Sequence, residues 1–172
     1  HPDNAAPALL GGCQIVVRDK GSLLTSRVPL PQDLKTVLFI PDVRMPTRQA
    51  RDLLPSSVPR QAAVYNIGRV ALLVKALATG EMSDLAVATD DMLHQRQRQT
   101  IFPAMKNIIR AALDAGALGA FLSGAGPTVL ALTRGREMTV GYEMSDAAEK
   151  SGVSGTVKVT NPTENGAHVV EG

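Results

Sequence analysis

Aromatic residues are nearly missing from this sequence, with three Phe, two Tyr and no Trp making 3% of 172 residues. So few rings leave no platform for stacked bases, and a formal charge of +2 is too small for a phosphate-backbone footprint, so nucleic acid is excluded as a partner. Cysteine occurs once, as Cys13 in the apolar run Cys13, Gln14, Ile15, Val16, Val17. No internal disulfide framework can form, and the thiol reads as a small core residue in a reducing, cytoplasmic compartment. No apolar stretch approaches the ~20 residues that span a bilayer, and the amino end lacks a basic-then-apolar leader, which argues against a membrane partner. His1, His94 and His168 lie far apart without metal-ligand spacing, and no metal site is expected from this chain.

What is present describes an ordinary globular chain, 44% hydrophobic and 20% charged, long enough for one domain with a real core. It opens His1, Pro2, Asp3, Asn4 without an initiating Met and runs within a few residues into a strand, so it reads as a piece of something longer.

The pattern divides cleanly along the chain. Residues 1–10 are polar and then proline-punctuated, and His1, Pro2, Asp3 and Asn4 alone read as a surface turn for backbone reasons. Strands over 13–18 and 23–30 form a hairpin around Asp19, Lys20, Gly21 and Ser22. Residues 36–40 (Thr36, Val37, Leu38, Phe39, Ile40) predict a buried, central strand. A helix over 47–54 is stopped by Pro55. Residues 58–79 carry Ala63, Ile67, Val70, Val74 and Leu77 at spacings of four and three, predicting a long helix with that face buried and Gly80 as its stop. A helix over 83–93 is capped by Ser83, with Leu85 and Ala88 inward. After the basic turn 94–99, Pro103 opens a helix with Met105, Ile108, Ile109, Ala112 and Leu113 on one side, ended by Gly116. Two short apolar runs around a glycine loop occupy 121–132, followed by a helix over 136–150 and a strand over 155–160. From 161 the tail is polar and loosely held. The order from Thr36 is a split β-α-β arrangement: an α+β, ferredoxin-like plan with an antiparallel sheet and helices on one face.

The glycine loop Ser123, Gly124, Ala125, Gly126, Pro127, Thr128 is where chemistry is most readily placed. Its glycines permit close backbone approach, Pro127 stiffens the exit, and the loop can offer N–H groups to phosphate or serve as a plain hairpin turn. Neither the third glycine of a dinucleotide fingerprint nor a P-loop Gly-Lys-Ser/Thr accompanies it. Thr47 and Arg51 lie four apart and share a helix face, where a hydroxyl and a guanidinium suit a carboxylate or phosphate, or else Thr47 caps the helix and Arg51 is solvated. The polar run 94–99 is a solvated face unless one arginine enters a cleft.

These segments together resemble the homoserine kinases, a branch of the GHMP small-molecule kinase family, in their C-terminal portion. The resemblance covers nearly the whole chain: His-x-Asp-Asn-x-x-Pro-x-x-x-Gly-Gly at 1–12, Thr-x-x-Ala-Arg-x-x-Leu-Pro at 47–55, the 98–103 segment before a helix, and Ser-Gly-Ala-Gly-Pro-Thr at 123–128. It implies transfer of the ATP γ-phosphoryl group to the hydroxyl of L-homoserine on the way to threonine, in a cytoplasmic enzyme that can be a homodimer. By that resemblance His1, Asp3, Arg51 and Arg98 bind substrate, and Gly124, Ala125 and Gly126 line its pocket. Asn4 and Thr47, with Arg51, lie at the reacting centre, and Asn4 and Ser123 contribute to ATP. The family's Pro-x-x-x-Gly-Leu-Gly-Ser-Ser phosphate loop and its magnesium-binding acidic residue do not occur here. The implied division is 1–33 as the end of an N-terminal domain and 34–172 as the C-terminal one, with the fragment inactive alone. Residues 1–30 then leave strand edges unpaired. Another GHMP kinase, acting on a mevalonate-type compound or a sugar, and a non-catalytic ferredoxin-like binding module are the alternatives.

Overall fold

The computed structural model describes residues 1–170, the side chains of Thr47 and Gln49 excepted. The chain runs α1 (Pro2–Leu10), β1 (Cys13–Asp19), β2 (Ser22–Val28), β3 (Lys35–Pro41), α2 (Thr47–Asp52), α3 (Arg60–Thr79), a short 3-10 turn (Met82–Asp84), α4 (Leu85–Ala88), α5 (Gln95–Arg98), α6 (Ala104–Asp114), β4 (Gly119–Leu122), β5 (Val129–Thr133), α7 (Glu137–Lys150) and β6 (Gly155–Thr160). β1 and β2 form a two-stranded antiparallel sheet, and the other four strands form an antiparallel sheet in the order β4, β5, β3, β6.

The apolar run Thr36 to Ile40 lies inside the larger sheet, between β5 and β6, because only a strand paired on both sides can bury so many β-branched and apolar residues. Alternation then sorts side chains to the two faces. Val37, Phe39, Ala120, Leu122, Val129 and Ala131 meet α6 and α7 through Met105, Ile108, Ala112, Val140 and Met144. Each fully buried Val, Leu, Ile, Phe or Met side chain among these contributes ~1.5–3 kcal/mol. The alternate residues Phe121, Leu130 and Leu132 pack in a second cluster with Ala76 and Leu77 of α3, Leu85 of α4 and Val28 of β2. That second cluster ties the small hairpin to the larger sheet.

Several local expectations are corrected. Residues 2–10 form a helix, not a turn: Pro2 stands at its first position, where its fixed φ suits a helix start, and the His1 carbonyl accepts the N–H of Asn4 and Ala5. The stripe Ala63, Ile67, Val70 of α3 is not buried, Ile67 being 69% exposed. The helix carries apolar residues on most of its circumference, and its buried residues are Ala62, Ala76 and Leu77. An 18-residue stretch of α3 has a mean hydropathy of 1.3, long and apolar enough to cross a membrane, contrary to the expectation that no stretch would be. Its C-terminal part instead packs against α4 and β2.

The single helix expected over 83–93 breaks into the 3-10 turn and α4, with Leu85 and Ala88 inward as expected but no Ser83 side-chain cap. α4 ends at Ala88, short of the expected limit, and beyond it the Asp91 carboxylate captures the N–H groups of Leu93, His94 and Gln95 where α5 begins. The tail is not loose. Gly12 N–H donates to Thr163 O (2.8 Å), Ala167 N–H to Ala8 O (2.9 Å), and Arg27 pairs with Glu164 (3.0 Å) while also donating to Leu10 O. Gly166 lies so close to Leu9 that a Cβ there would enter the Leu9 carbonyl.

Candidate functional site

Three elements converge on one guanidinium. The β4 to β5 turn folds back on itself, Ser123 N–H donating to Thr128 O (2.8 Å) and Gly126 N–H to Ser123 O (2.9 Å). Gly124 and Gly126 hold φ of 55° and 86°, which a side chain would strain. The turn therefore presents the Gly124 carbonyl outward to Arg98, whose Nη1 donates to it at 2.7 Å. Arg98 is 7% exposed, and its Nε lies 3.5 Å from the Ala50 carbonyl of α2. Burial disfavours the Arg98 charge, Asp91 offsets this, and Arg51 adds a second unfavourable cation, so the Arg98 pKa falls below its ordinary value. Arg51, in the last turn of α2, has no ion-pair partner among the described residues. A buried guanidinium against a glycine loop, with the Arg51 charge near enough to act on it, makes a place for an anion. Both Nη2 hydrogens of Arg98 lack a protein partner among the described residues and are the edge available to it.

The support beneath Arg98 was not foreseen from sequence. Asp91 is buried and accepts from Asn66 Nδ2 (2.6 Å) and from the N–H groups of Leu93 (3.1 Å), His94 (2.8 Å) and Gln95 (2.6 Å). Burial raises the Asp91 pKa, but these hydrogen bonds outweigh it and the carboxyl titrates below its ordinary range. Gln95 is buried too, donating to Thr89 O (3.2 Å) and accepting the Leu122 N–H (2.8 Å), which fastens α5 to β4. His94 Nδ1 sits 3.2 Å from Arg98 Nη1. The available signal was an Asp ahead of a short polar helix, a capping pattern that a basic run disguised. The polar run 94–99 is thus not uniformly solvated: Gln95 and Arg98 point inward and Arg96 outward.

The remaining sequence-predicted residues are placed as follows. Ser123, Ala125 and Gly126 are half-buried in the loop and Gly124 is exposed. Thr47 is the first residue of α2 and Pro46, not Thr47, is its N-cap; the Thr47 side chain lies outside the described residues. His1, Asp3 and Asn4 are exposed at the start of α1, His1 Nδ1 being 3.8 Å from Asp3 Oδ1. Among the described residues no hydrogen bond or ion pair joins these three to Arg98 or the glycine loop. No group of three or more His, Cys, Asp or Glu side chains is placed to hold a metal ion among the described residues. A cavity of about 750 Å³ lies on the other side of α5, between Val87, Arg96, Lys106 and Ile109. It touches the Arg98 support only through Asp91 and Gln95 and contains none of the sequence-predicted residues, so the site is placed by the converging cations rather than by cavity size.

Residues 73–150, from α3 to the end of α7, match the family model described as GHMP kinases C terminal. Over those residues the chain matches the C-terminal domain of the GHMP kinases, and its α+β architecture with a four-stranded antiparallel sheet is the ferredoxin-like one expected. Within that class its relatives are homoserine kinases. That of Moorella thermoacetica is 44% identical over 170 residues, 99% of this chain and 57% of the relative, and that of Gloeobacter violaceus is 47% identical over 133 residues, 77% of this chain and 44% of the relative. The crystal structure of homoserine kinase from Cytophaga hutchinsonii superposes with a TM-score of 0.90 at 32% identity, over 96% of this chain and 53% of that one. The chain therefore spans about half the length of the relatives it matches.

Proposed function

We propose that this chain is the substrate-holding C-terminal portion of a cytoplasmic, ATP-dependent homoserine kinase that makes O-phospho-L-homoserine for threonine synthesis. The observation that carries the reading is Arg98, buried between α2 and the glycine loop with Arg51 as a second cation beside it. L-Homoserine brings a carboxylate for these cations, and one guanidinium edge with a second charge from another element fixes that carboxylate in one orientation. Phosphoryl transfer depends chiefly on positioning and charge stabilisation: the homoserine hydroxyl oxygen bonds to the γ-phosphorus as the bond to the ADP oxygen breaks, and the hydroxyl proton is released. The part of these residues is to hold the amino-acid end so that the hydroxyl faces the phosphate.

The donors described here do not fit a complete ATP and Mg2+ cradle, since the loop amides of Ser123 and Gly126 are already used within the turn and no carboxylate cluster is present among the described residues. We assign nucleotide and magnesium chiefly to an N-terminal portion, of which residues 1–33 are the end and against which His1, Asp3 and Asn4 act. Residues 34–172 form the C-terminal domain in this division, supported by the separation of the two sheets. Other GHMP kinases, such as mevalonate kinase of L. major, share the fold at 17% identity and a TM-score of 0.63, a likeness of fold alone.

The test is formation of O-phosphohomoserine by the full-length protein carrying this chain. Arg98→Ala and Arg51→Ala should each raise KM for homoserine by roughly tenfold or more, the worth of one charge-assisted hydrogen bond, while KM for ATP stays within about twofold. An unchanged homoserine KM in both variants would remove the assignment.

A further inference from the structure

We propose that His94, held by Asp91, is a positioning residue for Arg98, and that its neutral imidazole is the form that keeps the guanidinium aimed at substrate. The inference rests on the reading of Arg98 as the carboxylate-holding cation and deepens it.

A guanidinium only donates, so His94 Nδ1, 3.2 Å from Arg98 Nη1, must accept, and the imidazole proton must sit on Nε2. That N–H faces Asp91 Oδ1 at 3.6 Å, an electrostatic contact longer than a hydrogen bond. Asp91 is itself immobilised by Asn66 of α3 and three backbone N–H groups. A polar line thus runs from α3 through Asp91, His94 and Arg98 to the Gly124 carbonyl. Of the donor hydrogens on Arg98, those on Nη1 go to His94 and Gly124 and the one on Nε points at Ala50 O, so losing the His94 acceptor leaves two backbone carbonyls as its anchors and loosens its aim.

The charged groups around His94 are few. Asp91 and Arg98 face it along its own segment. Arg69 of α3 and Asp90 line the small cavity beside it, while β4 contributes only Phe121 and Leu122 there. Arg51 reaches the cluster through Arg98. Protonating His94 replaces an acceptor by a donor against Arg98 and sets cation against cation. Burial, and after it the Arg98 charge, hold the imidazole below its ordinary value of 6.5 in spite of Asp91. His94 is therefore neutral at neutral pH and gains its charge only below 6.5, and its side chain is 40% exposed, open to solvent protons.

The test uses the full-length protein and two variants. Asn at this position puts an amide oxygen near the place of Nδ1 and has no proton to gain, whereas Ala removes the acceptor. His94→Ala should raise KM for homoserine about tenfold at about pH 7.5 with kcat within about twofold, and His94→Asn should restore most of the affinity. The ratio of wild-type KM to His94→Asn KM should climb as pH falls below about 6.5, the ionisation of ATP cancelling in the ratio. Imidazole 15N shifts, assigned by their loss in the Asn variant, should report the Nε2–H tautomer. A flat KM ratio, an unchanged KM in His94→Ala, or an Nδ1–H tautomer overturns the proposal. Those results beside a lost homoserine affinity in Arg98→Ala sink this proposal alone, whereas an unaffected Arg98→Ala sinks the substrate reading and this proposal with it.

Discussion

At the scale of single residues Asp91 carries the most local structure, because one carboxylate satisfies three backbone N–H groups and a side-chain amide in a buried place. Replacing it by Ala leaves those donors without an acceptor, and we expect a loss of roughly 3 kcal/mol, read from urea unfolding. The pH dependence follows from the sign of its shift. Folding lowers the Asp91 pKa from 3.8, so its stabilisation is complete above that value and is lost as pH falls through the lower folded one. Asp91→Asn should therefore lower Tm at pH 7 by an amount that shrinks in acid below about pH 3.8. A gap between Asn variant and wild type that stays constant into that range would mean the hydrogen bonds do not favour the charged form. Arg98 shows the other side of such residues. Its position in a polar run made solvation the plain reading, and nothing within four residues of it announces that α2 and the glycine loop close over it.

Among the elements, legibility followed how local the determining physics is. The strand Thr36 to Ile40, α6 with its Pro start and Gly116 stop, the strand, glycine loop and strand, α7 and β6 all formed within a few residues of their expected limits. Each is fixed by its own periodicity and end signals. What failed depended on distant parts. The buried stripe of α3 could not be chosen because apolar residues surround the helix and only its partners, α4 and β2, select a face. The tail looked loose because its composition is polar, yet its backbone is held by Ala8 and Gly12 from the other end of the sequence, with Gly166 packed against Leu9. Arg98 and the glycine loop were singled out through family resemblance and lie side by side, but the Asp91, His94 and Gln95 support had no such signal. One prediction belongs here. Gly166→Ala should push the tail off α1, since its Cβ has no room against Leu9, and the amides of Gly12 and Ala167 should lose hydrogen-exchange protection while those of β3 and β5 keep theirs. Unaltered protection at Gly12 and Ala167 would show the contact to be dispensable.

Across the whole molecule, burial is concentrated around the four-stranded sheet, whereas Leu23 and Leu24 of β2 and Val64, Ile67 and Val70 of α3 face solvent. Exposed apolar side chains three apart on one helix, as Val64, Ile67 and Val70 are, favour association. The isolated chain should show a sedimentation coefficient that rises with concentration, and Ile67→Glu combined with Val70→Glu should flatten that rise with little change in Tm, because neither side chain is in the core. A concentration dependence indifferent to these charges would move the sticky surface elsewhere, to the hairpin first. The larger sheet, by contrast, is guarded on one flank. Outermost strand β4 has its Leu122 N–H taken by the Gln95 amide, and α4 presses on Gly119 with Leu85 O and Thr89, so a glutamine side chain and a helix stand where a fifth strand would pair. At the opposite flank β6 pairs only with β3, and Lys158 stands exposed upon it. An incoming extended peptide thus finds one flank shut, and on the other a cation that a flat stack of strands would have to bury, so this sheet is built to end at four.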